Sequence, residues 1–281
     1  MSERRLVITA DDFGAAEAVN EAVETAHCDG VLSAASLMVT GAAAADAVRR
    51  AREIPSLRVG LHLVLVEGRP CLPADHVPHL TDADGSFRGD MAASGATMFF
   101  NPSARAELAV EIEAQFAAFA ATGLPLDHVN AHKHFHLHPT IAGLILKIGA
   151  RFGLRAVRAP LEPEAPLRLA EPPTSVRGDP VALFARVLRA RIRAAGLLAP
   201  DQVFGLRWTG AMTEPRLAGI VRALPPGLSE IYLHPATHGG FAGAAPGYRY
   251  AEELAALTSP AVSKALSESG ARLGGFADFA S

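Results

Sequence analysis

Apolar residues recur along this chain with two alternating periods, and that alternation predicts a fold class. "RLVITA" (Arg5–Ala10) is a short β-branched run of the kind a buried strand needs. Ala15–Asp29 follows as a helix with Ala18, Val19, Ala22, Val23 and Ala26 on one face, stopped by Gly30. The couple then repeats: "VLSAASLMV" as a strand, a helix over Ala42–Glu53 closed by Pro55, the strand "LRVGLHL", a helix from Ser103 to Ala121, and the strand "LDHVNAH". A helix opens at Pro139, a residue suited to the first helical turn, with Ile141, Leu144, Ile145, Ile148 and Phe152 at core spacing. The pattern continues with "RAVRA", a helix around Val181–Ala195, "QVFGL", a helix over Glu214–Leu224, "SEIYLH", a helical region over Tyr250–Ser269 and a last strand "ARLGGF".

About eight strand–helix units in strict alternation imply a parallel sheet. So many units in 281 residues favour a distorted or incomplete (β/α) TIM-like barrel, an α/β fold with its active site at the C-terminal ends of the strands. A doubly wound sheet is the alternative, but the first strand-to-helix turn, "TADDFG", lacks the GxGxxG that brings a pyrophosphate close to the backbone. Two stretches, Val66–Pro102 and the Pro-rich Ala159–Pro180, read as long loops. No repeat or linker divides the chain, so residues 1–281 are expected to form one domain.

Composition narrows the partners. The net charge of −3 and the scattered arginines leave no basic footprint for nucleic acid. Cys28 and Cys71 lack metal or disulfide spacing, and "MSERRLVITADDFG", with a short apolar run and an acidic pair, is expected to be neither a signal peptide nor a membrane span. A cytoplasmic protein is expected, with peripheral membrane contact left open.

Candidate chemistry gathers at one kind of place. Asp11 and Asp12 end the first strand, His62 the third, His132 the fourth, Arg158 the fifth and His234 the seventh. In a parallel barrel these ends open on the same face. Two imidazoles and a carboxylate from three strands can hold one divalent cation and leave positions free for substrate, which assigns Asp12, His62 and His132 as a metal triad. Asp11 is then the candidate general base, Arg158 the group that orients its carboxylate, and His234 the acid that protonates the leaving group. The donor set suits zinc but also magnesium, iron or manganese.

The stretches "TADDFG", "VGLHL", "NAHKHFHLHP" (Asn130–Pro139), "RAVRAP" and "YLHPA" occur in an order that resembles the YdjC/ChbG-like carbohydrate deacetylases, nearly from end to end. The resemblance implies metal-dependent removal of N-acetyl groups from amino sugars. It places Asp11 on the base, Asp12, His62 and His132 on the ligands and His234 on the acid. One departure stands beside the triad: many relatives read Asp-Ser where this chain has Asn130-Ala131, and Lys133 replaces another histidine. "GLHLVLVEGRP" and "WTGAMTE" look most like the hopanoid biosynthesis-associated branch, whose implied substrate is an N-acetylglucosaminyl bacteriohopane polyol lipid.

Four histidines at alternate positions, His132 to His138, would share one face of an extended chain, but one ion cannot take them all. His132 is therefore the ligand, His134 and His136 are expected to bind substrate or support the ligands, and His138 lies at the helix entrance. Met98, Phe99 and Phe100 fall in the first long loop, where an apolar rim for a lipid-linked sugar or a homodimer interface would use them. A chitooligosaccharide or diacetylchitobiose deacetylase would keep the same chemistry with different loops. A non-enzymatic sugar- or metal-binding protein would need neither Asp11 nor His234. A metal-assisted lyase or isomerase would normally bring a lysine or several carboxylates to the strand ends, and few are present.

Overall fold

A computed structural model describes residues 3–171 and 181–280. The strands are β1 (Arg4–Phe13), β2 (Ala34–Leu37), β3 (Arg58–Leu63), β4 (Val129–Ala131), β5 (Gln202–Phe204), β6 (Gly227–Leu233) and β7 (Arg272–Leu273). Among the described residues the helices are α1 (Glu17–Cys28), α2 (Ala44–Glu53), α3 (Met91–Phe100), α4 (Pro102–Ala121), α5 (Pro139–Gly149), α6 (Glu164–Ala170), α7 (Ala182–Ala194), α8 (Glu214–Arg222), α9 (Tyr250–Leu257) and α10 (Pro260–Ser269).

The strands form one parallel sheet in the order β4-β3-β2-β1-β6-β5. β1 is its axis: β6 pairs along one side, while β7 and then β2 share the other. Leu6, Val7, Ile8 and Ala10 are all buried, as expected of a strand covered on both faces. Between β4 and β5 the described residues form isolated bridges, Val129 with Val157 and Ala156 with Leu198. The architecture is an incomplete TIM-like barrel with helices packed around it. Val7, Ala34, Ala156, Leu228, Phe276 and Phe279 form an apolar plug, and β1, β2 and β6 contribute their early residues to it.

Four expectations change. "RAVRA" is not a regular strand: it meets β4 through the Val129–Val157 bridge and the segment before β5 through Ala156–Leu198, so the barrel has fewer regular strands among the described residues than the alternation implied. The helical region after Tyr250 is two helices, because Pro260 cannot continue a helix and Ser259 caps a new one by accepting the Ala261 N–H at 3.0 Å. The stretch "MAASGATMFF" is not loop but α3, started by Asp90, whose carboxylate accepts the N–H groups of Ala92 and Ala93. The second long loop contains α6, and its residues 172–180 lie outside the described part. No helix among the described residues is long and apolar enough to cross a membrane.

Candidate metal and acid–base site

β1 delivers two adjacent carboxylates to different tasks. Side chains alternate along a strand, so Asp11 and Asp12 should face opposite ways. The pairing register with β2 shifts between Ala10 and Phe13, and Asp12 adopts φ 62°, a left-handed conformation that aspartate tolerates better than most residues. Both carboxylates thereby face the barrel mouth.

Asp12, His62 and His132 converge, with one ligand atom from each lying within 4.8 Å of the others. Asp12 Oδ1 is 3.2 Å from His62 Nε2 and 3.2 Å from His132 Nδ1. Burial pushes the Asp12 carboxyl up, but His132 and His62 more than offset that, so it stays well below the ordinary carboxylate range. His132 shifts upward because Asp12 outweighs its own burial.

The protonation pattern shows whether the cluster suits a cation. His62 Nδ1 is 2.6 Å from Asn130 Oδ1, while Asn130 Nδ2 donates to Asp11 at 3.1 Å and to Ser36 at 2.9 Å. An ionised Asp11 can only accept, so the amide must turn its NH2 toward Asp11 and its oxygen toward His62. His62 therefore carries its proton on Nδ1 and aims the Nε2 lone pair at a carboxylate oxygen. That Nε2 is buried without a hydrogen-bond partner among the described residues. A lone pair facing an anion is the arrangement a cation resolves, and the residues fit a divalent ion.

Asp11 is enclosed behind the cluster. Arg158 grips it with both terminal nitrogens, at 2.5 and 2.9 Å, and with its other donors holds Glu230 at 2.7 and 3.0 Å. The guanidinium also lies over the Tyr232 ring, 4.6 Å from its centroid. Burial alone would push the Asp11 carboxyl up, yet Arg158, with His62 beside it, holds it far below the usual range. Asp11 is thus an ionised acceptor at the barrel mouth.

His234 follows β6, its backbone N–H donating to buried Glu253 at 2.6 Å. Its ring lies 5.1 Å from that of Tyr248 and 5.7 Å from that of Tyr232, and its buried Nδ1 has no hydrogen-bond partner among the described residues. His234, Asp11, Asp12, His62, His132 and His134 line one cavity of about 790 Å³. The loop Phe241–Pro246 supplies an apolar part of its wall, and Lys133, paired with Glu67, and Arg69 supply charge.

The histidine run leaves extended geometry at once. Lys133 and His134 take φ 53° and 55°, and residues 132–137 wind into a short 3-10 turn before α5. His134 still reaches the cavity, with Nε2 2.9 Å from the Tyr232 hydroxyl. His136 does not: it is fully enclosed, and neither ring nitrogen has a hydrogen-bond partner among the described residues. Phe99 and Phe100 also lie off the cavity wall, because they end α3 instead of bordering the mouth; Phe99 sits edge-on to His138 at 6.0 Å. They are 46% and 77% exposed, whereas Met98 is buried.

Glu230 and Tyr232 were not among the sequence candidates, and Asn130 stood there only as a departure from relatives. A signal existed, since Glu230, Tyr232 and His234 alternate, as do His128, Asn130 and His132. The informative alternation runs backward from each strand end, into the barrel.

Fold and cluster define the class: a (β/α) barrel with two histidines and a carboxylate converging at its strand ends beside an arginine-held aspartate. Within that class the chain belongs to the YdjC-like family, whose model matches residues 5–268. It is 30% identical to a carbohydrate deacetylase of Geobacillus stearothermophilus, over 98% of each chain. It is also 30% identical to a chitooligosaccharide deacetylase of Yersinia pestis (strain Pestoides F), over 98% of this chain and 99% of that one. With a carbohydrate deacetylase of Brevibacillus brevis the identity is 38%, but the match spans only 53% of this chain and 56% of that one. The fold is shared with an Enterococcus faecalis V583 protein assigned to cellobiose-phosphate cleavage, with TM-score 0.78 and 24% identity over the full length of both.

Proposed function

We propose that this chain is a metal-dependent carbohydrate N-deacetylase, a hydrolase of the amide bond in an N-acetylglucosamine unit, and that a hopanoid lipid carries that unit. One observation supports the chemistry above all others: a cation-type cluster, an ionised buried aspartate and a histidine without a partner at Nδ1 border the same cavity. A divalent ion held by Asp12, His62 and His132 would polarise the acetyl carbonyl and make nearby water more acidic. Asp11 takes a proton from the attacking water, with Arg158 fixing the direction of the accepting oxygen. The water oxygen bonds to the carbonyl carbon, the C–N bond breaks, and His234 gives a proton to the departing amine, leaving acetate and a free amino sugar.

The lipid-linked substrate rests on the resemblance of "GLHLVLVEGRP" and "WTGAMTE" to the hopanoid-associated branch, and the apolar wall at Phe241–Pro246 is compatible with it. Phe99 and Phe100 add no support from inside the cavity. A soluble chitooligosaccharide is the second reading, favoured by the near full-length match to the Yersinia pestis deacetylase. Acetate release from N-acetylglucosaminyl hopanoid and from diacetylchitobiose, measured side by side, separates them. Turnover of neither substrate would overturn the deacetylase reading.

A further inference from the structure

We propose that Asn130 is a positioning residue that sets the donor atom of His62 and the orientation of Asp11 together, and that a buried hydrogen-bond file through Ser36 and His128 to Asp127 holds it in place. The proposal rests on the cation site argued above.

The direction of every bond in the file follows from its neighbours. Ser36 accepts from Asn130 at 2.9 Å, so its own proton is free to go to His128 Nε2, also at 2.9 Å. A His128 that accepts at Nε2 carries its proton on Nδ1, and that proton points at Asp127 Oδ2, 2.8 Å away. Asp127 is an acceptor, and it also receives the N–H groups of Phe276 and Ala277 at 3.1 and 2.8 Å. Burial pushes the Asp127 carboxyl up, but these hydrogen bonds and His128 bring it below its ordinary value. Donors therefore run one way, from His62 through Asn130, Ser36 and His128 to a carboxylate. No other protonation of neutral partners satisfies every atom. Such a file polarises in one sense and strengthens the His62 Nε2 lone pair as a donor.

The surroundings are built to keep the file in register. His62 and Asn130 are opposite each other in β3 and β4, and Ser36 is opposite Gly60 in β2 and β3. Gly60 is a glycine for a local reason: a Cβ there would stand 2.5 Å from the His128 ring. The ring rests against Phe276 at 4.8 Å, so the turn after β7 closes the far end. Asn130, Ser36, His128 and Asp127 are all buried, so water cannot substitute for a missing member at no cost.

The test uses the full-length chain and zinc as the probe. Zinc affinity is measured by chelator competition on wild type, Asn130→Ala, Ser36→Ala and Asn130→Asp, with near-UV circular dichroism confirming folded protein. Nitrogen-15 NMR of the metal-free chain reads the His62 tautomer. Asn130→Ala should weaken zinc by roughly 10–100-fold, the usual scale for losing a group that orients a ligand. Ser36 hydrogen-bonds to Asn130 and His128 instead of His62 or Asp11, so Ser36→Ala should weaken zinc binding by a smaller but measurable factor. Asn130→Asp keeps an acceptor for His62 but removes the donor to Asp11, so it should keep the Nδ1–H tautomer and fall between wild type and Asn130→Ala in affinity. Wild-type affinity and tautomer in folded Asn130→Ala and Ser36→Ala would overturn the proposal while leaving the cation site standing. A wild-type chain with no zinc affinity would remove the site, and with it both this proposal and the metal-dependent reading.

Discussion

Arg158 meets Asp11 through both of its terminal nitrogens, 2.5 and 2.9 Å from the two carboxylate oxygens, with Arg158 wholly buried and Asp11 nearly so in the cavity wall. Glu230 shares the same guanidinium, so one cation serves two buried carboxylates. Replacing it by leucine strands both. Arg158→Leu should cost about 3–5 kcal/mol, the scale for removing one partner of a buried ion pair, whereas Arg158→Lys keeps the charge but loses the fork. Urea unfolding decides: a wild-type midpoint and slope for Arg158→Leu would mean the cluster contributes little to stability.

The two aspartates should separate in experiment as they do in space. Asp11→Asn should keep the bound ion and lose turnover by roughly 100-fold or more, the scale for a positioned general base. Asp12→Asn should weaken metal binding first. Equilibrium dialysis followed by acetate assays at saturating zinc gives the order, and the reverse order would exchange their roles.

His62→Ala and His132→Ala should each lower the bound metal and the acetate release together while the chain stays folded. His132 is half-buried just past β4, whereas His62 is buried near the end of β3, so circular dichroism on both variants checks the fold before metal is counted. Stoichiometric ion in both purified variants, by metal analysis, would show that the cluster is not the binding site.

Acid should expose His136. Burial, with Arg158 and His62 nearby, pushes this imidazole down to about 3. An unfolded histidine titrates near about 6.5. The folded chain therefore stays unprotonated there while the unfolded chain gains a proton, so the stability is fully present above about pH 6.5 and falls as pH drops toward 3. Asp127, held below its ordinary value, adds a second loss below the normal carboxylate range. His136→Phe should flatten the first decline, measured as unfolding free energy against pH with chelator present. An unchanged profile would show that His136 is not its source.

The order of elements was legible because buried strands and amphipathic helices differ in period, and the convergence of Asp12, His62 and His132 followed from the rule that strand ends share a face. What escaped notice depended on single dihedrals and on caps. The left-handed turn at Lys133 and His134 is not encoded by hydrophobic period, so His136 could not be told from a pocket residue. Met98–Phe100 read as loop because the helix start rests on one capping aspartate in a stretch rich in small residues. Arg158 was legible as a strand-end cation, but its second partner, Glu230, was hidden inside an apolar run.

Phe99 and Phe100 now bear on a surface question instead of a cavity one. Replacing both by serine should change folding stability by no more than about 0.5 kcal/mol each, as for exposed positions, and should leave deacetylation of a soluble sugar intact. A higher KM for the lipid-linked substrate alone would place them on the lipid's path outside the cavity. A shift from dimer to monomer in sizing experiments would make them interface residues.

Asp12 occupies a left-handed backbone position that a glycine would occupy without strain. A non-glycine residue held there costs of order 1–3 kcal/mol, and the barrel accepts that cost to turn a second carboxylate toward the mouth. Asp12→Gly should then melt at a higher temperature than wild type in the absence of metal while losing the ligand altogether. Selection for thermal robustness alone would tend to erase this carboxylate. An engineering campaign on this chain that scores only melting temperature would drift toward a sturdier, inert barrel.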